Sequence, residues 1–174
     1  MPVRPILKYP DARLRDKSEP VTFFDQELSD LARDLAETML AAPGAGLAAP
    51  QVGIPRRVIV VAGAENYEDF DDRTLILVNP RIIRAEGEQV YDEGCLSVLY
   101  LQEQMKRAAE VTVAFQDLEG RPCELTADGR RAVILQHELD HLDGVLFLDH
   151  LSRLKREIYK RRLRKMNKEE DGDA

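Results

Sequence analysis

The sequence predicts an α+β fold in which antiparallel or mixed β-sheets surround a central helix. Two observations support this prediction: short β-branched segments follow one another in a run, and helical patterns flank that run instead of alternating with it. A chain of 174 residues is long enough for one domain with a sizeable core. We therefore expect a single domain over 1–168 and a short acidic tail, predicted to be disordered, at 169–174.

The N-terminal helix is predicted from apolar residues at helical spacing. The segment DQELSDLARDLAETMLAA places Leu28, Leu31, Leu35 and Met39 on one face, and Asp25 is a suitable N-cap. The PGAG stretch that follows is expected to end this helix.

Three segments are typical of strands because they are β-branched, short and bounded by turn residues. They are RVIVVA at 57–62, TLILVNP at 74–80 and EVTVAFQD at 110–117. The residues between the first two, 64–73, form a predicted acidic loop. The stretch DEGCLSV at 92–98 is interpreted as a polar turn that leads into apolar residues.

Two helices are predicted near the C-terminus. The first covers 128–144, with Asp128 as its N-cap and Gly144 near its end. The second covers 151–166. Its expected apolar stripe consists of Leu151, Leu154, Ile158 and Met166.

Composition and charge argue against several classes of protein. No apolar run approaches the roughly 20 residues that a membrane span needs, and the N-terminal segment lacks the apolar region of a secretory signal. The formal net charge of −7 does not suit a DNA-binding protein. These features predict a cytoplasmic protein without membrane contact, in which Cys95 and Cys123 stay reduced.

Positive charge is concentrated in the last predicted helix. From Arg153 to Lys168, nine residues are basic and one is acidic. Such a run is usually a solvated helix face. It also fits a contact with an anionic partner such as RNA, and hence a transient contact with the ribosome.

The segment LQHELDHLDG, residues 135–144, carries the strongest chemical signal in the sequence. Residues four apart in a helix project from the same face, so His137 and His141 direct two imidazoles towards one point. Glu138 completes the H-E-x-x-H spacing, which combines two metal ligands with a carboxylate that can move a proton. We therefore predict that this helix holds a metal ion.

The residues alone leave the third metal ligand open. Phe147 stands where a metzincin protease would have its last histidine, and His150 is expected at the surface or beside the site. Cys123 is expected to be a small buried hydrophobe, whereas Cys95, next to Gly94, could be a buried residue or a ligand. The later glutamates, none of which stands out, are Glu157, Glu169 and Glu170.

Three stretches together resemble the peptide deformylases, which remove the N-formyl group from new bacterial and organellar polypeptides. They are GAGLAAPQ at 44–51, EGCLS at 93–97 and QHELDH at 136–141, and they match the motifs of that family in order and spacing. ILKYPDARLR near the N-terminus and LDGVLFLDHLSRLKR near the C-terminus are also similar. The resemblance extends over residues from about 5 to 165.

The resemblance implies a deformylase-like catalytic domain with one divalent metal ion. Cys95, His137 and His141 would be its ligands. The physiological ion would be Fe²⁺, and Zn²⁺, Ni²⁺ or Co²⁺ could occupy the same site, since one thiolate and two imidazoles suit all four. Glu138 would be the general base, and a metal-bound hydroxide would attack the formyl carbon.

The resemblance also implies how the substrate, an N-formylmethionyl peptide of a nascent protein, is bound. The side chain of Gln51 and the backbone N–H of Leu96 would stabilise negative charge on the formyl oxygen. The peptide would run as an added strand beside the segment from Gly44 to Gly46. The full set of predicted substrate-binding residues is Gly44, Ala45, Gly46, Glu93 and Gly94.

Two departures from the family pattern affect the expected substrate groove. Leu99 and Tyr100 stand where the family usually has proline and often glycine, and Arg130 and Arg131 stand where leucines are usual. Both changes are expected to alter side-chain preference rather than the chemistry. Two other functions stay open at this point: a catalytically weak relative that binds peptides or the ribosome, and a metalloendopeptidase.

Overall fold

Two helices cover the opposite faces of a five-stranded sheet in the computed structural model, which describes residues 3–63 and 74–172. The helices are α1 (Gln26–Ala41), α2 (Gly129–Leu142) and α3 (Arg153–Gly172). The strands are β1 (Gly46–Ala48), β2 (Val58–Ala62), β3 (Thr74–Glu86), β4 (Gln89–Cys95), β5 (Val98–Arg107), β6 (Glu110–Gln116) and β7 (Pro122–Asp128). The predicted α+β class is confirmed.

The strands form two separate antiparallel units. The larger sheet has the order β1-β2-β3-β6-β7, and within the described part of the chain β4 pairs only with β5 in a hairpin. Strand β1 is therefore an edge strand, with β2 as its one neighbour among the described strands. This edge position matters for the site, because it leaves one side of a short strand open for further pairing.

Alternating residues of β2 explain why helices lie on both faces of the sheet. Val58 and Val60 pack in one apolar cluster with the inner face of α1, whereas Ile59 and Val61 pack in another with the inner face of α2. A strand that is buried on both faces is continuously apolar, as the VIVVA segment is. Helix α2 is thus central, which fixes the position of the H-E-x-x-H residues that it carries.

The first helix forms as predicted. The Asp25 side chain accepts a hydrogen bond from the backbone N–H of Leu28 at 3.1 Å and caps the helix. The apolar residues expected on its inner face are all buried: Leu28, Leu31, Leu35 and Met39.

The three predicted strands all belong to the larger sheet, whereas β1 and β7 of that sheet and both strands of the hairpin are not among the predictions. Strands β2 and β6 lie within one residue of their predicted bounds, and β3 continues to Glu86, beyond the predicted end at 80. The interpretation of 92–98 as a turn is wrong except at Leu96 and Ser97, because the residues on either side form β4 and β5. The predicted acidic loop at 64–73 lies outside the described residues.

The stripe predicted for the C-terminal helix is confirmed only at Leu151, which is buried just before α3, and the helix itself buries a different face. Leu154 is 71% exposed and Ile158 is 57% exposed, whereas Tyr159 and Leu163 join the buried cluster against the hairpin. The tyrosine hydroxyl donates to the carbonyl of Leu99 at 2.9 Å, which sets the rotation of the helix. The helix ends at Gly172, so its backbone runs over the start of the predicted tail.

Helix α2 begins and ends close to its predicted bounds. Asp128 occupies the N-cap position, but its side chain makes no capping hydrogen bond, so its predicted capping role is wrong. No helix among the described residues is long and apolar enough to cross a membrane.

Candidate active site

Three side chains from two elements converge on one point at the inner face of α2. Cys95 at the end of β4 and His137 and His141 on α2 each offer one ligand atom, and these atoms lie within 4.8 Å of one another. The Sγ atom of Cys95 is 3.3 Å from Nε2 of His141. Ligands around a tetrahedral Zn²⁺ ion are about 3.5 Å apart, so this spacing fits a single metal ion.

The surroundings of the two histidines also fit a metal site. Burial lowers the pKa of His141 well below its usual value, which keeps the imidazole neutral as a ligand requires. Burial also opposes a charge on His137, but its hydrogen bonds to Cys95 and Glu93 prevail and raise its pKa well above the usual value, so an ion at its Nε2 would have to displace that proton. The Nδ1–H of His137 donates to the carboxylate of Glu93 at 2.9 Å, so its Nε2 is left for an ion. Among the described residues, Nδ1 of His141 is buried without a hydrogen-bond partner.

Glu138 lies beside the Cys-His-His cluster without belonging to it. Its side chain is 4% exposed, and Oε2 is buried without a hydrogen-bond partner among the described residues. Burial raises the pKa of Glu138 to about 7. A carboxylate in this state is suited to take and return a proton near neutral pH.

An ion pair behind His137 fixes the orientation of that ligand. The carboxylate of Glu93 accepts from Arg107 at 2.7 and 3.1 Å and contacts His137 Nδ1 at 2.9 Å. Arg107 also donates to Asp140 at 2.8 Å, and His150 contacts the same carboxylate at 2.9 Å. Glu93 thus acts on the site through His137, and a contact of Glu93 with substrate stays a prediction.

The Glu93→Gln variant is expected to bind metal about 10–100-fold more weakly, because the ring of His137 loses its anionic partner. Isothermal titration of the metal-free protein with Zn²⁺ measures this change. Glu103→Gln is a matched control, since Glu103 lies directly opposite on β5 and pairs instead with Lys155 at the surface. Equal affinities for the two variants would contradict the positioning role.

The same variant has a predictable pH dependence of stability. Burial opposes ionisation of Glu93, but its hydrogen bonds to His137 and Arg107 prevail and lower its pKa from 4.5 to about 2. A carboxyl group whose pKa is lowered by folding stabilises the fold at pH values above its pKa in the unfolded chain. That stabilisation is lost as the pH falls through the pKa in the folded protein. Urea unfolding of metal-free protein should show wild type more stable by about 2–3 kcal/mol at neutral pH, a difference that shrinks between pH 4.5 and about 2.

Hydrogen bonds hold the side chain of Gln51 in one orientation next to Cys95. It lies in a short 3-10 helix, Ala49–Val52, directly after β1, and is 2% exposed. Its Oε1 accepts from the backbone N–H of Ala48 at 2.9 Å, so its NH₂ group faces Ser97 Oγ at 3.1 Å and Cys95 Sγ at 3.8 Å. The amide is therefore a fixed donor beside the ligands, as an oxyanion donor must be.

A cleft of about 1110 Å³ opens onto these groups. Glu138, His137 and Cys95 line it, and so do the predicted substrate-binding residues Gly44, Ala45, Gly46, Glu93 and Gly94. Ala45 and Gly46 bond to β2 on one side, which leaves the outer edge of β1 towards the cleft. An extended peptide could add to this edge as a further strand.

The two arginines that depart from the family pattern are in different positions. Arg130 lines the cleft together with Val133 and Ile134. Arg131 turns away and donates to the carbonyl of Gly63. Leu99, Tyr100 and Leu96 also line the cleft; the contribution of the Leu96 backbone N–H to oxyanion binding stays a prediction.

Two residues of the site escaped sequence reasoning. Arg107 is buried at the end of β5. It lies two residues after the buried Met105, on the same face of the strand, and this spacing is the one local sign of its burial. Ser97, which is fully buried, accepts the hydrogen bond that orients Gln51. Both depend on contacts between distant segments, for which a single sequence gives no signal.

An α+β fold with a cluster of two buried imidazoles and one half-buried thiol, an adjacent carboxylate and an open cleft defines a metal-dependent hydrolase. A family model described as polypeptide deformylase matches residues 3–157. The peptide deformylase of Desulfotalea psychrophila is 47% identical over 165 residues, which cover 95% of this chain and 97% of that protein. The chain belongs to the polypeptide deformylase family.

Solved structures agree with this assignment. A peptide deformylase from Legionella pneumophila is 41% identical and superposes with a TM-score of 0.88, covering 98% of both chains. A class I type b peptide deformylase from Acinetobacter baumannii, bound to Met-Ala-Ser, is 36% identical with a TM-score of 0.80. That match covers 86% of this chain and 99% of the other.

Proposed function

We propose that the protein hydrolyses the formyl group of N-formylmethionyl peptides and releases formate, with Glu138 as its general base. The observation that carries this proposal is the position of the Glu138 carboxylate, buried at the cleft between the ligand cluster and the open edge of β1. Substrates of this kind are nascent chains, so the proposed place of action is the cytoplasm.

Cys95, His137 and His141 are the proposed ligands of one divalent ion, Fe²⁺ in the cell. When bound, such an ion acts as a Lewis acid that makes water more acidic and polarises a carbonyl oxygen. One thiolate and two imidazoles fit Fe²⁺, Zn²⁺, Ni²⁺ and Co²⁺ alike, so the choice of Fe²⁺ is part of the proposal.

The side chains around the cleft each have a defined task in this reaction. The segment from Gly44 to Gly46, which leads into β1, binds the peptide backbone, and Val133 and Ile134 receive the methionine side chain. Gln51 donates its amide hydrogen to the formyl oxygen as negative charge develops there. Glu138 takes the proton from the attacking water and returns it to the leaving amine.

A direct assay tests the proposed function. The protein, purified without oxygen and loaded with Fe²⁺, is incubated with formyl-Met-Ala-Ser, with Met-Ala-Ser and with casein. We expect formate from the first peptide and no new peptide-bond cleavage in any of them. Cleavage of casein would favour the metalloendopeptidase alternative, and tight peptide binding without formate would favour the binding protein.

The Gly46→Ala variant is expected to lose about 10²-fold in kcat because it displaces the general base. A Cβ atom on Gly46 would lie 2.6 Å from Oε1 of Glu138, closer than the two atoms can approach. The clash also reaches Cγ and Cδ of this buried side chain, at 2.8 and 2.9 Å, so some loss of thermal stability is expected, whereas the Zn²⁺ content should stay close to wild type. An unchanged kcat would contradict this prediction, because it would show that catalysis does not depend on the position of the Glu138 carboxylate against Gly46.

We further propose that the basic face of α3 makes a transient contact with ribosomal RNA. The exposed residues Arg161, Arg162 and Lys165 lie outside the ion pairs among described residues, whereas Tyr159 and Leu163 hold the helix on the body. Reversing those three charges should abolish co-sedimentation with ribosomes at low salt without unfolding the domain. Arg33→Glu on α1 is the control, and retention of binding by the triple variant would contradict the contact.

A further inference from the structure

The hairpin carries a bulge directly beside the ligand cluster. Cys95 pairs with Val98, but the preceding residue of β4, Gly94, pairs with Gln102. Three residues of β5, from 99 to 101, therefore have no register partner in β4. Bulges next to active sites commonly redirect a side chain, so the residue at the centre of this bulge is of interest.

Tyr100 occupies that centre in an unusual backbone conformation. Its φ angle is +61°, in the left-handed region where a tyrosine is strained and a glycine is not. The backbone just before it is fixed to α3, because the carbonyl of Leu99 accepts a hydrogen bond from the hydroxyl of the buried Tyr159 at 2.9 Å. A surrounding structure that maintains local strain often does so for function.

The bulge presents its side chains to the substrate cleft. Leu99 and Tyr100 both line the cleft, and Tyr100 is 54% exposed. The methionine side chain needs only the wall formed by α2, whereas a volume of about 1110 Å³ exceeds the usual size of a site for a small ligand. The remaining space, beyond the ligands and along the hairpin, suits further residues of the peptide.

We propose that Tyr100 is a specificity-determining residue that favours an apolar, above all aromatic, side chain in the residues that follow the formyl-methionine. The inference rests on the proposed function and deepens it. An aromatic ring that is exposed in a cleft gains most from stacking against another ring. Tyr100 is already part of the cleft lining in the absence of a peptide.

Relative turnover of matched peptides tests this inference. We compare kcat/KM for formyl-Met-Phe-Ser and formyl-Met-Ala-Phe with that for formyl-Met-Ala-Ser. Wild type should prefer at least one of the aromatic peptides by about fivefold. Tyr100→Gly should reduce this ratio to about one and also melt at a higher temperature, since glycine relieves the strained φ. Tyr100→Phe should keep the preference.

Phe23→Ala is the matched control, because Phe23 is 78% exposed and does not line the cleft. Calorimetric binding of Met-Phe-Ser, Met-Ala-Phe and Met-Ala-Ser repeats the comparison without turnover. A failure of the proposed function, seen as no formate from any peptide, is thus distinguishable from a failure of the inference. Equal aromatic preference in wild type and Tyr100→Gly, in turnover or in binding, would overturn the inference, as would its absence from wild type.

Discussion

Replacing Glu138 by glutamine is expected to abolish nearly all formate release while the metal ion stays bound. Glutamine has the same shape and fills the same space against Gly46, but its amide cannot take a proton from water. Loss of a general base typically lowers kcat by about 10²–10⁴-fold. Because the proposed mechanism also has Glu138 return the proton to the leaving amine, we expect the upper part of that range.

Single-turnover formate release and metal content by mass spectrometry measure the two halves of this prediction. Glu157→Gln is a suitable control, since Glu157 is a surface residue of α3 that pairs with Lys160. The prediction also has a binding component, because Met-Ala-Ser should bind Glu138→Gln with nearly wild-type affinity. A variant with full activity would remove Glu138 from the mechanism.

Removing the metal ion is expected to have the second-largest effect, on activity and stability together. Chelation should abolish formate release, and one equivalent of Fe²⁺ added without oxygen should restore it. An ion present at about 1,000 times its Kd stabilises the fold by about 4 kcal/mol, so the metal-free protein should melt about 10 °C lower.

The cysteine variants show which thiol is involved. Cys95→Ala should behave like the chelated protein and should not recover when Fe²⁺ is added. Cys123→Ala should retain activity, since the Cys123 thiol contacts the carbonyl of Arg121 in the sheet, away from the cluster. Formate release by Cys95→Ala at the wild-type rate would mean that a different ligand completes the site.

The parts of the site that the sequence could predict are those encoded by local spacing. His137 and His141 are one helical turn apart, so their convergence follows from helix geometry alone. Cys95 lies on a different element, and no periodicity connects it to α2. From the sequence, only the family resemblance places it beside the histidines. The structure shows this proximity directly.

The hairpin was missed because its residues suit several structures. Strand β5 contains the polar run Gln102, Glu103 and Gln104, which has little intrinsic strand preference. It becomes a strand through pairing with β4, and that pairing brings the buried Arg107 to the carboxylate of Glu93. Such a contact between segments is set by tertiary structure rather than by local sequence.

The error in α3 has a similar origin. A stripe that includes Leu154 and Ile158 satisfies helical spacing as well as one that includes Tyr159 and Leu163. The hydrogen bond from Tyr159 to the bulge at Leu99 selects the second face. Periodicity thus located the helix correctly but could not determine which side of it the hairpin would cover.

The most direct test of the proposed site is anomalous diffraction from crystals of the nickel-loaded protein grown with Met-Ala-Ser. We predict one anomalous peak, about 2.0–2.4 Å from Sγ of Cys95 and from Nε2 of both His137 and His141. The amino terminus of the peptide should lie beside Glu138, with its methionine against Val133 and Ile134. A peak at any other group of ligands, or a peptide bound away from the β1 edge, would contradict the account.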